Sequence, residues 1–166
     1  MRFNGLALIA SAVVLGACGG GDKTGTTTDS ATAAATPSTT TPTPATGTVA
    51  KAPATGTTHE VRMIGDGTTY KFEPADITIK AGDNVKWIMI SGAPHNVAFD
   101  PAEIAAAAKP QLMANMDNQM SELSGPLLSN VNETYEISFA NVPPGKYNYF
   151  CTPHLAMNMR GTITVQ

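Results

Sequence analysis

This 166-residue sequence has few charged residues, no long apolar run and only two cysteines, and each of these features limits what the protein can be. Charged residues make up only 14% of the chain, and the net charge of −3 gives no electrostatic footprint for binding nucleic acid. The apolar run from Leu6 to Leu15 is shorter than the about 20 residues that a membrane-spanning helix needs. The two cysteines, Cys18 and Cys151, allow one disulfide at most. The hydrophobic content of 42% suits one packed domain.

Residues 1–17 have the pattern of an export signal, in which Arg2 supplies a positive charge before an apolar run and small residues. Leu15-Gly16-Ala17-Cys18 resembles the lipobox of bacterial lipoproteins, where the signal is cleaved before the cysteine and the cysteine is acylated. The alternative is an ordinary secretory signal, with Cys18 lost or paired later. We expect Cys18 to carry lipid. The protein is therefore predicted to be exported and anchored to a bacterial membrane, facing the periplasm or the cell exterior.

Residues 18–58 are predicted to be the lipidated cysteine and a disordered tether. The segment after Cys18 is rich in Thr, Ala, Pro and Gly and has almost no large apolar residue. Such a segment cannot bury enough surface to offset the entropy of ordering. A flexible chain of about 40 residues reaches roughly 35 Å r.m.s., so the tether would act as a leash. His59, at its end, is expected to be a surface residue rather than a metal ligand.

The predicted folded domain covers residues 59–166, and its pattern is that of β-strands. Short, partly alternating apolar runs are separated by turn signals such as Gly65-Asp66-Gly67. The run Val85–Ile90 is more continuously apolar and predicts a central strand. Spacing of the βαβ type is missing, so we predict an all-β protein, a Greek-key β-sandwich of about eight strands. The predicted strands are Val61–Ile64, Tyr70–Phe72, Ile77–Lys80, Val85–Ile90, His95–Phe99, Thr134–Phe139, Lys146–Phe150 and Gly161–Val165.

Four side chains supply the donor set of a mononuclear copper site. Cys151, His154 and Met159 fall within nine residues, and the distant His95 adds a second imidazole. Two histidines and a cysteine with a weak axial methionine are the ligands of blue-copper electron-transfer sites. With Cys18 acylated, Cys151 would be the only thiol. A lone thiol in an oxidising compartment is a hazard unless a metal holds it, which also favours Cys151 as a ligand.

Four stretches resemble plastocyanin-type cupredoxins, and the similarity runs from about Val61 to Gln166. They are Pro74–Asp83, Ala93–Val97, Tyr147–His154 and Met159–Val165. The resemblance implies the cupredoxin fold and one type 1 copper that cycles between Cu(I) and Cu(II). The ligands that it implies are His95, Cys151, His154 and Met159. It also implies that Asn96 bonds the backbone near Cys151 and ties the two ligand segments together.

The resemblance further implies an electron exit through the imidazole edge of His154 into a transiently docked redox protein. A hydrophobic rim is expected around that edge. The expected rim residues are Pro94, Leu155, Ala156 and Met157. Met157 also competes with Met159 as axial donor, but the family spacing selects Met159. Phe150 stands where plastocyanins often place a tyrosine on a second route to a partner.

One segment interrupts the β pattern and predicts a short helical insert. Asp100-Pro101-Ala102-Glu103 resembles a helix start, with a capping Asp and a first-turn Pro, and predicts a helix over Ile104–Ala108. Pro110 is expected to end or kink it. Apolar residues then recur at helical spacing over residues 111–123, at Leu112, Met113, Met116 and Met120. These methionines could serve a second copper or a partner, but we favour apolar packing against the sandwich.

Two functions fit these observations. The first is a membrane-tethered electron carrier, a monomer that moves single electrons between extracytoplasmic or membrane redox proteins. The alternative is a copper chaperone, store or sensor on a cupredoxin frame, which only the methionine-rich segment favours. A copper enzyme would need further histidine-rich sites, and the chain has three histidines in all, so we do not expect an enzyme. A two-copper electron-transfer centre would need a second cysteine in the loop, which is not there.

Overall fold

Two four-stranded sheets pack on a shared core in the computed structural model, which describes residues 48–166. The strands are β1 (Thr58–Gly65), β2 (Tyr70–Glu73), β3 (Asp76–Ile79), β4 (Asn84–Met89), β5 (Ala98–Phe99), β6 (Thr134–Ser138), β7 (Gly145–Phe150) and β8 (Arg160–Val165). The first sheet has the order β2-β1-β4-β6 and the second β3-β8-β7-β5. β1 and β4 are parallel, as are β3 and β8, and the other pairs are antiparallel. The predicted sandwich of about eight strands is confirmed.

The predicted signal at residues 1–17, the predicted lipid site Cys18 and the tether as far as residue 47 lie outside the described residues. Among residues 48–166, no helix is both long enough and apolar enough to cross a membrane.

β4 lies inside its sheet, between β1 and β6, as its continuous apolar run predicted. Trp87 of β4 is fully buried and meets Tyr149 of β7 edge to face, with ring centroids 5.6 Å apart. The Tyr149 ring also lies 4.6 Å from the ring of Phe72 in β2. These rings join the two sheets, and large buried aromatic side chains are a main source of the hydrophobic free energy that stabilises a core.

The strands define two ends of the sandwich, which we call poles. β4 and β7 finish at Met89 and Phe150, at the distal pole. β1 and β4 begin at Thr58 and Asn84, which are register partners, at the proximal pole. Both predicted ligand segments follow strands that finish at the distal pole, so the fold brings them to one end of the sandwich.

The helical insert is present between β5 and β6, and we call residues 100–128 the insert, but its helix lies at a different position from the predicted one. The helix α1 covers Lys109–Asn115, whereas the sequence predicted a helix over Ile104–Ala108 that Pro110 would end or kink. Asp100 starts only a turn, in which its Oδ1 accepts a hydrogen bond from the N–H of Ala102 at 2.9 Å. Pro110 instead lies in the first turn of α1. A missing N–H is harmless there, because first-turn N–H groups have no partner within the helix.

The methionine-rich segment is helical only in its first part, because the helix ends at Asn115 and the Met116 backbone is extended, with ψ 119°. Met116 lies in the core with 4% of its surface exposed, and Met113 packs against the core from outside. Met120 is 61% exposed. The predicted apolar packing against the sandwich therefore holds for Met113 and Met116 but not for Met120.

The predicted fifth strand, His95–Phe99, is much shorter in the structure. β5 contains only Ala98 and Phe99. His95 instead forms an isolated bridge with Leu128, near the end of the insert: its N–H lies 3.0 Å from the Leu128 carbonyl oxygen, and the return bond is 2.7 Å. The insert thus provides the backbone partner that a neighbouring strand would otherwise give to His95.

The prediction of a disordered tether as far as residue 58 is wrong for its last residues, because Thr58 begins β1 and the residues just before it bind to the folded domain. We call residues 52–57 the strap. The N–H of Ala52 donates to Oδ1 of the buried Asn115 at 2.9 Å. The N–H of Gly56 donates to the carbonyl of Gly82 at 2.9 Å, at the proximal pole. The chain therefore joins the sandwich at the pole opposite the predicted ligands.

Candidate metal centre

Three of the four predicted ligands lie together at the distal pole. The Sγ atom of Cys151 is 3.3 Å from Nδ1 of His154 and 3.6 Å from Nδ1 of His95, and the two Nδ1 atoms are 3.1 Å apart. All three side chains are buried, with His154 6% exposed and the other two fully buried. Two nitrogen donors and one sulfur donor that face each other at this range can enclose one metal ion.

His95 is held at its main chain and at its second ring nitrogen. The turn before it passes through Gly92 with φ 75°, a conformation that glycine adopts readily. Nε2 of His95 lies 2.8 Å from the carbonyl oxygen of Ser91. A carbonyl can only accept, so Nε2 carries the proton and the Nδ1 lone pair remains available for a metal. Burial lowers the pKa of His95 and thereby favours this neutral form.

The loop from Cys151 to Met159, which we call the ligand loop, closes on itself through its main chain. The N–H of Cys151 donates to the Met159 carbonyl at 3.1 Å, and the N–H of Met159 donates to the His154 carbonyl at 3.2 Å. Between them, a 3₁₀ turn over Leu155–Met157 ends at Asn158, which is left-handed with φ 60°. Asparagine tolerates that conformation better than most residues, so the chain can reverse and bring Met159 back to Cys151.

The two candidate axial methionines differ in burial. Met159 is fully buried, and its main chain is bonded to both Cys151 and His154. Met157 is 43% exposed and lies on the 3₁₀ turn. A thioether that binds a buried metal must be buried with it, so Met159 remains the candidate for the fourth donor and the exposed Met157 does not meet this condition.

The chemistry of this donor set fits copper. Burial raises the pKa of the Cys151 thiol, while the N–H groups of Asn96 and His154 lower it. Burial and the neighbouring His95 lower the pKa of His154, so both imidazoles favour the neutral form that binds metals. A bound cation replaces the thiol proton, because the thiolate is the ligand. Thiolate and thioether sulfur select Cu(I), and imidazole also suits Cu(II).

Asn96 connects the His95 segment with the ligand loop. The N–H of Thr152 donates to Oδ1 of Asn96 at 2.7 Å, and Nδ2 of Asn96 lies 3.2 Å from the Thr152 hydroxyl oxygen. Nδ2 also lies 3.2 Å from the hydroxyl oxygen of Ser124, near the end of the insert. The family resemblance implied that Asn96 bonds the backbone near Cys151, and the bond from the Thr152 N–H lies there. The contact with Ser124 had no sequence signal.

Tyr70, the first residue of β2, contacts the site without having been singled out from the sequence. Its ring stacks on the imidazole of His154, with centroids 3.8 Å apart and an angle of 12° between the planes. It meets the His95 ring edge on, at 6.1 Å and 64°. Tyr70 is one of four tyrosines in the chain, and only the pairing of β2 with β1 brings it to the site. No local pattern marks it.

The predicted rim residues lie on the surface of the distal pole. Pro94 and Ala156 are exposed, and Leu155 and Met157 are 36% and 43% exposed. Leu127 is 42% exposed and adds apolar surface that the sequence did not indicate. It belongs to this pole because the next residue bridges to His95.

His59, expected to be a surface residue, lies at the proximal pole, and its side chain is 30% exposed. Its Nε2 is 2.9 Å from a carboxylate oxygen of Asp83, so it takes no part in the donor cluster. The N–H of Lys80, His59 and the N–H of Thr57 all lower the pKa of Asp83. The Asp83 carboxylate thus ties the strap to the turn before β4.

Comparison with known proteins agrees with this donor set. Residues 59–166 match the family model described as copper binding proteins of the plastocyanin/azurin family. A plastocyanin of Scenedesmus fuscus is 37% identical over 106 residues, which cover 64% of this chain and 97% of that protein. A plastocyanin of a Synechococcus strain is 36% identical over 113 residues, which cover 68% of this chain and 76% of that protein.

A solved plastocyanin structure is also similar to this chain in fold. The oxidized form of plastocyanin from Dryopteris crassirhizoma is 30% identical, with a TM-score of 0.50. The likeness covers 65% of this chain and 100% of that one. The sandwich, the histidine and cysteine donors at its distal pole and these matches lead to one assignment: the chain belongs to the plastocyanin/azurin family of copper-binding proteins.

Proposed function

We propose that this chain is an electron carrier whose single copper ion is held by four side chains at the distal pole. These are His95, Cys151, His154 and Met159. The observation that carries the proposal is the buried cluster of one sulfur and two nitrogen atoms, all within 4.8 Å of one another. Bound copper supplies a one-electron couple between Cu(II) and Cu(I). Family membership supports the same function, because its plastocyanin relatives are electron carriers rather than enzymes.

The fold supports this function by fixing the donors before any metal binds. His95 is bridged to Leu128, the ligand loop is closed by its own main-chain bonds, and Asn96 joins the two segments. Donors on a preorganised frame need little rearrangement when the charge of the site changes. A small rearrangement keeps the barrier to electron transfer low.

Electrons are proposed to leave through the imidazole edge of His154 into a docked redox protein. His154 is 6% exposed, and the apolar residues Leu155 and Met157, which follow it in the ligand loop, are themselves exposed. None of the predicted rim residues carries a charge. The matching surface on the partner should therefore be apolar and small, since small interfaces are typical of transient electron-transfer complexes.

The proposed carrier works as a monomer that a flexible N-terminal segment tethers to the membrane. Residues 1–17 would be removed and Cys18 acylated, and the residues between Cys18 and the strap would connect the lipid to the folded domain, outside the cytoplasm. The strap supports this arrangement because it joins the domain at the proximal pole. The six residues of β4 separate the two poles by about 20 Å. A domain attached in this way leaves its ligands at the far end, accessible to a partner.

Absorption spectroscopy of the copper-loaded full chain tests the ligand set. The wild type should show the intense visible band of a Cu(II)–thiolate bond and lose it reversibly on reduction. Cys151→Ser should abolish the band, because a hydroxyl is a poor soft ligand. His59→Gln is the matched control, since it removes a histidine outside the cluster and should keep the colour. A band that persists in Cys151→Ser would overturn the assignment.

Two further measurements test the remaining parts of the proposal. Copper that stays bound through repeated oxidation and reduction supports a carrier, while rapid transfer to a chelator would support a chaperone or store. Cys18→Ala in cells fed labelled fatty acid should abolish lipid incorporation and release the protein from the membrane fraction. Membrane association that survives Cys18→Ala would contradict the lipid anchor.

A further inference from the structure

The two imidazoles of the site are held by different means. Nε2 of His95 is hydrogen-bonded to the Ser91 carbonyl at 2.8 Å, which fixes the orientation of that ring. Nε2 of His154 has no hydrogen bond to any of residues 48–166. A histidine that binds a metal is normally oriented through its second nitrogen. His154 therefore needs another constraint if Nδ1 is to face the other donors.

Tyr70 provides such a constraint. Its ring lies 3.8 Å from the imidazole of His154, centre to centre, and the two planes are within 12° of parallel. A ring stacked in this way prevents the imidazole from turning about its own bond unless the two faces first separate. Its edge-on contact with His95 places the same ring against both histidines.

The position of Tyr70 is itself fixed from behind. Tyr70 is paired with Gly65 in the register of β1 and β2. A Cβ atom at Gly65 would lie 2.5 Å from Cδ1 of the Tyr70 ring, so only glycine leaves room for the ring there. Gly92, in the turn that leads to His95, packs on Gly65 with equally little space. The ring thus stacks on His154 and also packs closely on the Gly65 backbone, which leaves it little room to move away.

We propose that Tyr70 is a positioning residue, whose ring holds the His154 imidazole in the ligating orientation as the Ser91 carbonyl holds that of His95. This inference rests on the proposed copper function, but it predicts order in His154 before any metal binds. A stacked aromatic pair should slow the loss of the ligating orientation, and hence of copper, by about two- to twelve-fold. Ring stacking, rather than the tyrosine hydroxyl, is the property that matters.

The test measures His154 directly by NMR relaxation of its ring carbons in the copper-free full chain, with His95 as the internal reference. In the wild type, the two rings should be equally ordered. Tyr70→Leu, or Tyr70→Ile if the leucine variant does not fold, should increase the mobility of His154 and leave His95 unchanged. Tyr70→Phe is the matched control and should behave as the wild type. Release of Cu(I) to a chelator should quicken about two- to twelve-fold in the aliphatic variants only.

Each alternative result overturns the inference. If the His154 ring is mobile in the copper-free wild type while the His95 ring is ordered, stacking does not hold the His154 ring. The wild type alone is enough for this measurement. Unchanged His154 order in the aliphatic variants, or equal loosening of both rings, would assign Tyr70 a general packing role. A wild type without the visible copper band would contradict the proposed function instead, and the copper-free relaxation data would still test Tyr70.

Discussion

Removing the Asn96 side chain should weaken the support of the site while leaving the proposed ligands in place. Asn96 is 2% exposed and forms three good hydrogen bonds: it accepts one from the Thr152 N–H and donates to the hydroxyls of Thr152 and Ser124. The shortest of them, at 2.7 Å, is the bond to the Thr152 N–H, next to Cys151. Asn96→Ala would remove all three bonds at once.

The loss of stability in Asn96→Ala depends on whether each former hydrogen-bond partner of Asn96 can find another partner. The hydroxyls of Thr152 and Ser124 can turn to other partners, so each lost bond costs about 0.5–1.5 kcal/mol. The Thr152 N–H is fixed by the backbone, and its bond to Asn96 is part-buried, so leaving this donor unpaired should cost near the lower end of about 1–3 kcal/mol. Allowing for partial relaxation, Asn96→Ala should lower the free energy of unfolding by about 2–4 kcal/mol.

Urea unfolding of the copper-free full chain measures this loss, and the visible spectrum of the copper-loaded protein checks the ligands. We expect Asn96→Ala to keep the visible band, since the four donors remain, and to release copper faster. Ser124→Ala is the control, because it removes one of the three bonds and should cost about 0.5–1.5 kcal/mol. If the two variants lose equal stability, or if Asn96→Ala loses less than about 0.5 kcal/mol, Asn96 does not join the two segments as argued.

Three further variants test other parts of the molecule. Asn115→Ala should lower the free energy of unfolding by about 2–4 kcal/mol in urea, because the carbonyls of Ser138 and Ala140 lose their amide donor; an unchanged midpoint would refute this. Asp83 should stabilise the fold fully above its ordinary pKa of 3.8, and this stabilisation should vanish as the pH falls through its lowered folded-state pKa. The acid-unfolding curve of Asp83→Asn should therefore converge with the wild-type curve at low pH, and a constant difference would contradict the linkage. Met159→Leu should raise the reduction potential, measured by voltammetry against a Met157→Leu control, and an effect of the control alone would reassign the fourth donor.

The donor cluster could be predicted because most of its signal is local. Cys151 and His154 lie three residues apart in one loop, and that loop closes through its own main-chain bonds. Residues that are close in the sequence of this loop are therefore also close in space. His95 is harder, because it joins the cluster only if β4 and β7 finish at the same pole. The strand pattern and the family resemblance together supplied that information.

The helix was misplaced because proline has two opposite meanings in a helical pattern. Within a helix, Pro110 removes an N–H and ends or kinks the segment, whereas in the first turn it costs nothing. The apparent start at Asp100 favoured the first meaning. The structure shows the second, with Lys109–Asn115 helical and the preceding residues in turns. The sequence alone could not distinguish these two roles of Pro110, because the position of the helix depends on which residues pack against the sandwich. Leu112, which follows Pro110, is fully buried in the core.

Tyr70 shows a different limit of the sequence. Its role depends on a contact with His154, 84 positions later in the chain, and on the absence of a side chain at Gly65. The spacing of residues does not mark Tyr70 as part of the site, and tyrosine is common in strands because aromatic side chains favour sheets. Such a contact becomes visible only when the register of β1 with β2 is known.

The insert helps to hold the residues of the site in position, in addition to covering the sandwich. It leaves β5 after Phe99 and returns at Leu128, which is bonded to the main chain of His95 in both directions. On the way it presents Ser124 to Asn96. The His95 segment is therefore held by the ligand loop and by the insert together. A substitution in the insert that moves Leu128 should therefore also move His95, although it changes none of the four proposed ligands.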